Sequence, residues 1–286
     1  MARIDALSLL QENGIDEALL AEAYGAVIEG FEARAVSVAL KNQNLSGDPA
    51  SGTVEAKRFV NSASQAYGTA RTAGAGDAVK VEAVVIALDQ HKEIIEEVES
   101  FDLKTFGVDG ILARRRPNHI ASMVREMDTA FFAEAYATGT KVTHTATTWD
   151  GKLEEMAVQL ETVSNDYVDG VDRDMMAFVV TPSVHSALRL AIDVLPAQDN
   201  FYAKGAVGVY HGIPVFVSNH LPKAVGQVVD AFVMAWGSIA QPASADQFTP
   251  ERIPLSKAIA LELFYDYGTK AVMPDLIFYS GDALAS

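Results

Sequence analysis

Six histidines are the residues most able to carry acid–base or metal chemistry: His91, His119, His144, His185, His211 and His220. A zinc site of the HExxH kind needs two of them four apart on one helix, and no such spacing occurs. His211 and His220 flank a predicted strand and its exit, so they could share a metal only through the fold. Polar residues at strand ends account for them as simply. Ser183 and His185 sit two apart at a predicted helix start, but no GxSxG elbow accompanies them. The acidic stretch "DGVDRD" at 169–174 does not match a calcium loop and reads as a surface turn. Gly74 and Gly76, with Arg71 before them and Asp77 and Lys80 after, suggest a phosphate cradle. That fingerprint needs a third glycine and a following helix whose N-terminus meets the phosphate. Here the third glycine is missing and "VKVEAVVIAL" follows, an alternating strand pattern. A hairpin tip fits better. The one basic cluster is "ARRR", with Arg114, Arg115 and Arg116. It suits either solvent at a helix start or an acidic partner, because positive charge at a helix N-terminus opposes the dipole and calls for a counter-charge. No catalytic constellation, metal set or cofactor motif emerges.

The elements that would position these residues mix helix and strand. The chain has 286 residues, 49% hydrophobic and 21% charged, enough for one or two packed domains. Without cysteine, disulfides and thiolate chemistry are excluded. The 22 basic residues face 38 acidic ones, a net charge of -16. Such a surface does not gather nucleic acid by bulk electrostatics. The first twenty residues are too interrupted by charge for a signal peptide, and no apolar run reaches membrane-span length.

Residues 4–33 are predicted helical, and the polar stretch 41–53 reads as an arm. Two strand-like limbs follow within 57–106, joined by glycine-rich residues 74–77. Val79, Val81, Ala83 and Val85 share one face, with Lys80 and Glu82 on the other. The charged "HKEIIEEVES" competes between helix and strand, and its irregular apolar spacing favours strand. A helix is predicted over 111–138, with Pro117 in its first turn and a stripe of Ile120, Val124, Met127, Phe131 and Ala135. A second helix is predicted over 150–168 with Asp150 as cap. A strand at 175–180 leads to a helix opened by Thr181 and Pro182. Two short strands meet near His211-Gly212, another strand lies within 227–242, and two paired strands, 257–267 and 270–279, close the chain. This is an α+β architecture without βαβ alternation. A two-stranded hairpin is marginal alone in water, so the limbs point to surface supplied by other copies.

The order of these segments resembles the major capsid proteins of tailed bacteriophages, the Hong Kong 97-type shell fold. The likeness rests on the run "KRFVNSASQAYGTARTAGAGDAVKVEAVVIALD", the helix "RRRPNHIASMVREMDTAFFAEAYA", and "AFVVTPSVHSALRLAID" followed by "GVYHGIPVFVSNHLP". It covers nearly the whole chain. It implies an N-arm at 1–56, an E-loop at 57–100, a P-domain at 101–174 and 241–286 with a long spine helix, and an A-domain at 175–240 near fivefold and quasi-sixfold axes. It further implies a homo-oligomer of pentamers and hexamers enclosing DNA without sequence-specific binding, a virion location after assembly in the host cytoplasm, and no membrane, cofactor or enzymatic activity. Intersubunit contacts are then expected at the E-loop tip (Arg71, Gly74, Gly76, Asp77 and Lys80) and at Arg114, Arg115 and Arg116. A chain starting at Met1 leaves no room for a cleaved scaffolding segment, so a separate scaffolding protein is one expected partner, with portal and decoration proteins. The resemblance allows no assignment of a Lys–Asn crosslink, and non-covalent lattice contacts are expected. An encapsulin-type nanocompartment shell shares the fold and is the nearest alternative; a soluble α+β enzyme using His211 or His220 is another.

Overall fold

The computed structural model describes residues 29–30, 32, 34–61, 80–98, 100–193, 208–224, 227–246, 251–252 and 259–281. Most of the predicted helix at 4–33 lies outside these, as do Arg71, Gly74, Gly76 and Asp77. The described chain opens with α1 (Val36–Leu40), β1 (Leu45–Ser46), β2 (Thr53–Phe59), β3 (Val81–Ala87) and β4 (Gln90–Val98). Helix α2 (Ser100–Thr138), β5 (Thr140–Lys141), α3 (Trp149–Glu161), β6 (Met176–Val180) and α4 (Pro182–Asp193) follow. The rest is strand: β7 (Gly208–Tyr210), β8 (Ile213–Val217), β9 (Lys223–Ala224), β10 (Gln227–Val228), β11 (Ala231–Ala235), β12 (Ile239–Ala240), β13 (Ala243–Asp246), β14 (Glu251–Arg252), β15 (Ile259–Tyr267), β16 (Lys270–Ala271) and β17 (Ile277–Ser280).

The centre is a six-stranded mixed sheet in the order β5-β17-β11-β6-β8-β7. Strands β6 and β11 are buried at every position, which is what a sheet covered on both faces requires. Alternation divides their side chains between two layers. Met176, Phe178 and Val180 of β6, with Ala231, Val233 and Ala235 of β11, pack with Leu153, Met156, Ala157 and Leu160 of α3 and Val184 and Leu188 of α4. Ala177, Val179, Phe232 and Met234 face the other way, onto Phe131, Phe132 and Ala135 of α2. Phe132 stacks on Phe232 with ring centroids 5.9 Å apart. Truncating either ring would cost about 3–5 kcal/mol. The sheet draws β6, β8 and β11 from 175–240 and β5 and β17 from outside that stretch.

Helix α2 runs 39 residues, about 58 Å at 1.5 Å per residue. Its predicted stripe is right: Ile120, Met127, Phe131 and Ala135 are buried, with Val124 half-buried. Its predicted start is not. The helix begins at Ser100, so Pro117 lies in its interior instead of its first turn. Pro117 has no N–H to give the carbonyl four residues back, but it is exposed, so water can take the vacant place. Helix α3 ends at Glu161, short of 168, and its cap is Thr148, whose side chain accepts from the Gly151 N–H; Asp150 lies within the first turn. Asp150 serves Tyr210 instead, accepting the phenol at 2.6 Å.

Of the charged segment at 91–100, residues 91–98 are strand, as the spacing favours, while Ser100 already opens α2. β4 pairs along its whole length with β15. The two closing strands do not pair with each other: β15 takes β4, β13 and β14, while β17 takes β11 and β5. Strands β7 and β8 do form the expected hairpin. His211 at φ 48° and Gly212 at φ 90° supply the two left-handed residues of its turn.

Candidate assembly surface

Strands β2 and β3 pair from Thr53↔Ala87 to Phe59↔Val81. One face of this ribbon carries Val54, Ala56 and Arg58 against Ile86, Val84 and Glu82; the other carries Thr53, Glu55, Lys57 and Phe59 against Ala87, Val85, Ala83 and Val81. The inner face is buried. Ala56 and Ile86 pack with Ala240 and Val272, and with Leu45, Val84 and Met273 around them. The outer face is open, with Phe59 58%, Val81 45% and Val85 46% exposed. The sequence pattern paired Val81, Ala83 and Val85 correctly on one face. That apolar face is the outward one, because the body meets the ribbon through Val54, Ala56 and Ile86.

At the far end of this pairing the inner face turns polar. Arg58 is 9% exposed, and its Nη2 donates to Asp275 Oδ2 at 2.5 Å. Its guanidinium lies 3.6 Å from the centroid of the Tyr167 ring. The Tyr167 hydroxyl donates to Glu82 Oε2 at 2.6 Å, and Glu82 is the cross-strand partner of Arg58. Asn165 Nδ2 reaches Asp275 at 3.2 Å, and the Asn61 N–H donates to the Asp166 carbonyl at 2.9 Å. Just beyond, the Val60 N–H donates to the carbonyl of Lys80, whose side chain is exposed. Sequence reasoning missed Arg58. The signal was present: a charge at the third inward position after Val54 and Ala56.

The basic cluster lies inside α2, not at a helix start, so the dipole argument for an acidic counterpart lapses. Arg115 has an acid within the same chain, since its Nε donates to Glu96 Oε2 at 2.8 Å and its Nη2 pairs with Oε1. His119 Nε2 lies 3.1 Å from the same carboxylate. The hydrogen bond from Arg115, joined by His119, outweighs desolvation and holds the Glu96 carboxyl below its usual value. Arg114 is exposed and Arg116 half-buried. About two turns beyond His119, Glu126 accepts from Tyr265 at 2.7 Å and Tyr267 at 3.2 Å, with Lys92 Nζ at 3.0 Å. Burial works against its charge, but these donors together keep its carboxyl below the ordinary range. The α2 helix is thus tied to the β4–β15 pair by ion pairs and hydrogen bonds.

The histidines are spent singly. His91 Nδ1 is 2.7 Å from Asp266, and His211 Nδ1 is 3.2 Å from Glu154, which also receives Arg173. His144 bridges Glu155 at 3.1 Å and Ser280 Oγ at 2.8 Å. That order is the order of a serine–histidine–carboxylate relay, but Ser280 is 2% exposed, which leaves no approach for an external substrate. Among the described residues no three His, Asp or Glu side chains gather as a metal site, and no helix is long and apolar enough to cross a membrane.

No family model matches the sequence, and no curated protein matches it. Solved structures do. The capsid structure of cyanophage P-SCSP1u is 16% identical, with a TM-score of 0.60 over 85% of this chain and 86% of that one. A chain of Mycobacterium phage Che8 is 19% identical, with a TM-score of 0.58 over 80% of this chain and 84% of that one. The virus-like particle from Pyrococcus furiosus is 11% identical, with a TM-score of 0.57 over 90% of this chain and 96% of that one. Across most of its length, then, the chain has the Hong Kong 97-type shell fold found in the capsid proteins of tailed phages.

Proposed function

We propose that this chain is a major capsid protein, a structural subunit and not an enzyme, that self-assembles into an icosahedral shell around the double-stranded DNA of a tailed phage. The observation that carries the reading is the β2–β3 ribbon, buried on the body by one face and uncovered on the other, where Phe59, Val81 and Val85 are exposed beside Thr53, Glu55 and Lys57. Its occupant is another copy of the chain, in the manner of an E-loop at 57–100 laid against a neighbour. The N-arm at 1–56, the P-domain built on α2 and the A-domain around β6, β8 and β11 belong to the same scheme. In it, pentamers and hexamers form the lattice, with Arg71, Gly74, Gly76, Asp77 and Lys80 at the loop tip and Arg114 and Arg116 facing acids of a neighbour. Scaffolding, portal and decoration proteins are the partners this scheme expects.

The charge supports the reading. A net charge of -16 holds packed DNA off the wall. Cohesion then comes from apolar area, since many weak contacts per subunit add up in a closed lattice. A nanocompartment shell holding a protein cargo is the second reading. It is favoured by the match to the Pyrococcus furiosus particle, which covers nearly all of both chains. Electron microscopy of the purified full-length chain tests both. Closed shells are expected. Nuclease-protected DNA inside native particles supports the phage head, an encapsulated protein supports the compartment, and a chain that stays monomeric at high concentration overturns both.

A further inference from the structure

We propose that Arg58 is a positioning residue that fixes the direction in which the β2–β3 hairpin leaves the body; its consequence for assembly rests on the shell reading above. Two segments touch this side chain directly, the 164–169 turn through Tyr167 and the 274–276 turn through Asp275, and β3 joins them through Glu82, which accepts from the Tyr167 hydroxyl. The contacts are of three different kinds. Asp275 takes one edge of the guanidinium, the Tyr167 ring takes its flat face, and the Tyr167 hydroxyl reaches across to the opposite strand. One hydrogen bond to Asp275 and one ring contact with Tyr167 restrict the guanidinium from two directions. The Asn61–Asp166 backbone hydrogen bond then continues the docking by three residues.

The choice of residue is informative. Val54 and Ala56 precede Arg58 on the same face, and a third apolar side chain would complete the seam. Arg58 is buried but Asp275 is 46% exposed, so their attraction is screened by water on one side while the guanidinium still bears a desolvation cost, and the pair adds little to stability compared with a well-packed apolar residue. Among the described residues the Arg58 Nε has no hydrogen-bond partner. An apolar side chain would make no directional contact here, whereas the guanidinium makes two, to Asp275 and to the Tyr167 ring. Arg58 therefore contributes direction, not adhesion, at the last inward position before the loop.

Hydrogen exchange on the full-length chain before assembly tests this without reference to shells. Arg58→Met keeps the aliphatic stem and removes the charge. It is expected to speed exchange of the Asn61 amide by about tenfold or more, while the amides of the β6–β11 pair keep wild-type protection. Asp275→Asn, nearly isosteric, should do the same, and the double variant should add little to either single change. Unchanged exchange at Asn61, additive effects of the two substitutions, or loss of protection across the central sheet would each overturn the proposal; the last would make Arg58 a support of the whole body. In an assembly reaction, Arg58→Met should lower the yield of closed particles. If the wild-type chain forms none, the shell reading fails, while the exchange result still decides the role of Arg58.

Discussion

Asp128 in the middle of α2 caps a helix that begins ninety residues earlier. Its Oδ1 accepts the Ser37 N–H at 2.9 Å, and its Oδ2 lies 3.4 Å from the Val36 nitrogen. The residue in the cap position, Ala35, has no side chain to do this. The first amides of a helix have no partner within it, so α1 takes its cap from another element. This carboxylate ties the segment leading to the polar arm to the long helix. Asp128 is 1% exposed, and both donors lose their partner if it is removed. Asp128→Ala should lower the stability of the full chain by about 1–3 kcal/mol, read from the denaturant midpoint at constant slope.

The same residue sets a pH dependence. Burial raises the Asp128 carboxyl above its ordinary value, and the Ser37 and Val36 hydrogen bonds offset only part of that. The native state therefore holds a proton that the unfolded state has released. Over the window from the ordinary aspartate value up to the raised one, this group's contribution to stability falls as pH rises. Asp128→Asn should remove that slope. The difference in unfolding midpoint between wild type and Asp128→Asn, followed from about pH 4 to pH 7, is expected to change in this sense. A constant difference would show that Asp128 is not the group responsible. Glu96 and Glu126 work in the opposite direction, since their depressed values give stability that is lost as pH falls, and the comparison with Asp128→Asn cancels them.

Phe59 is more than half exposed at the open end of the ribbon. Phe59→Ser should change the stability of the unassembled chain by less than about 0.5 kcal/mol. If the side chain packs on a neighbouring subunit, as proposed above, assembly should suffer far more. Light scattering during assembly, set against the thermal midpoint of the unassembled chain, separates the two effects. A loss of stability matching the loss of assembly would place Phe59 in the body's own packing.

Replacing Arg114 and Arg116 together by alanine leaves the Arg115–Glu96 pair in place. If the two arginines meet acids of a neighbouring subunit, shell formation should weaken more at low salt than at high salt, because screening beyond about 8 Å at physiological ionic strength already removes much of the attraction. Equal weakening at both salts argues against ion pairing. Arg115→Ala is the control for the fold: it frees Glu96 within the chain and should cost about 1 kcal/mol or less.

Deleting residues 66–80 removes the proposed loop tip and keeps all of the paired strands at 53–59 and 81–87. The central sheet and α2 should fold as before by circular dichroism and calorimetry. Closed particles should not form. Normal particles from this deletion would end the E-loop assignment.

Local periodicity already determines much of this protein. The stripe on α2, the strand character of 91–98, the hairpin turn at His211-Gly212 and the opening of α4 at Pro182 all depend on neighbouring residues, and all are legible from spacing and turn chemistry. Long-range partners decided the rest. Alternation puts Val81, Ala83 and Val85 together, but which face is buried depends on Ala240 and Val272, far along the chain. The stretches 257–267 and 270–279 look like a strand pair, yet β15 pairs with β4, β13 and β14 while β17 pairs with β11 and β5. Pro117 marks a helix start locally, while α2 begins seventeen residues sooner. The cap on α1 and the arginine clamp at the ribbon root join residues more than ninety positions apart. Hydrogen-bond donors and buried charges must find partners wherever the packed chain presents them, and only the tertiary structure says where that is.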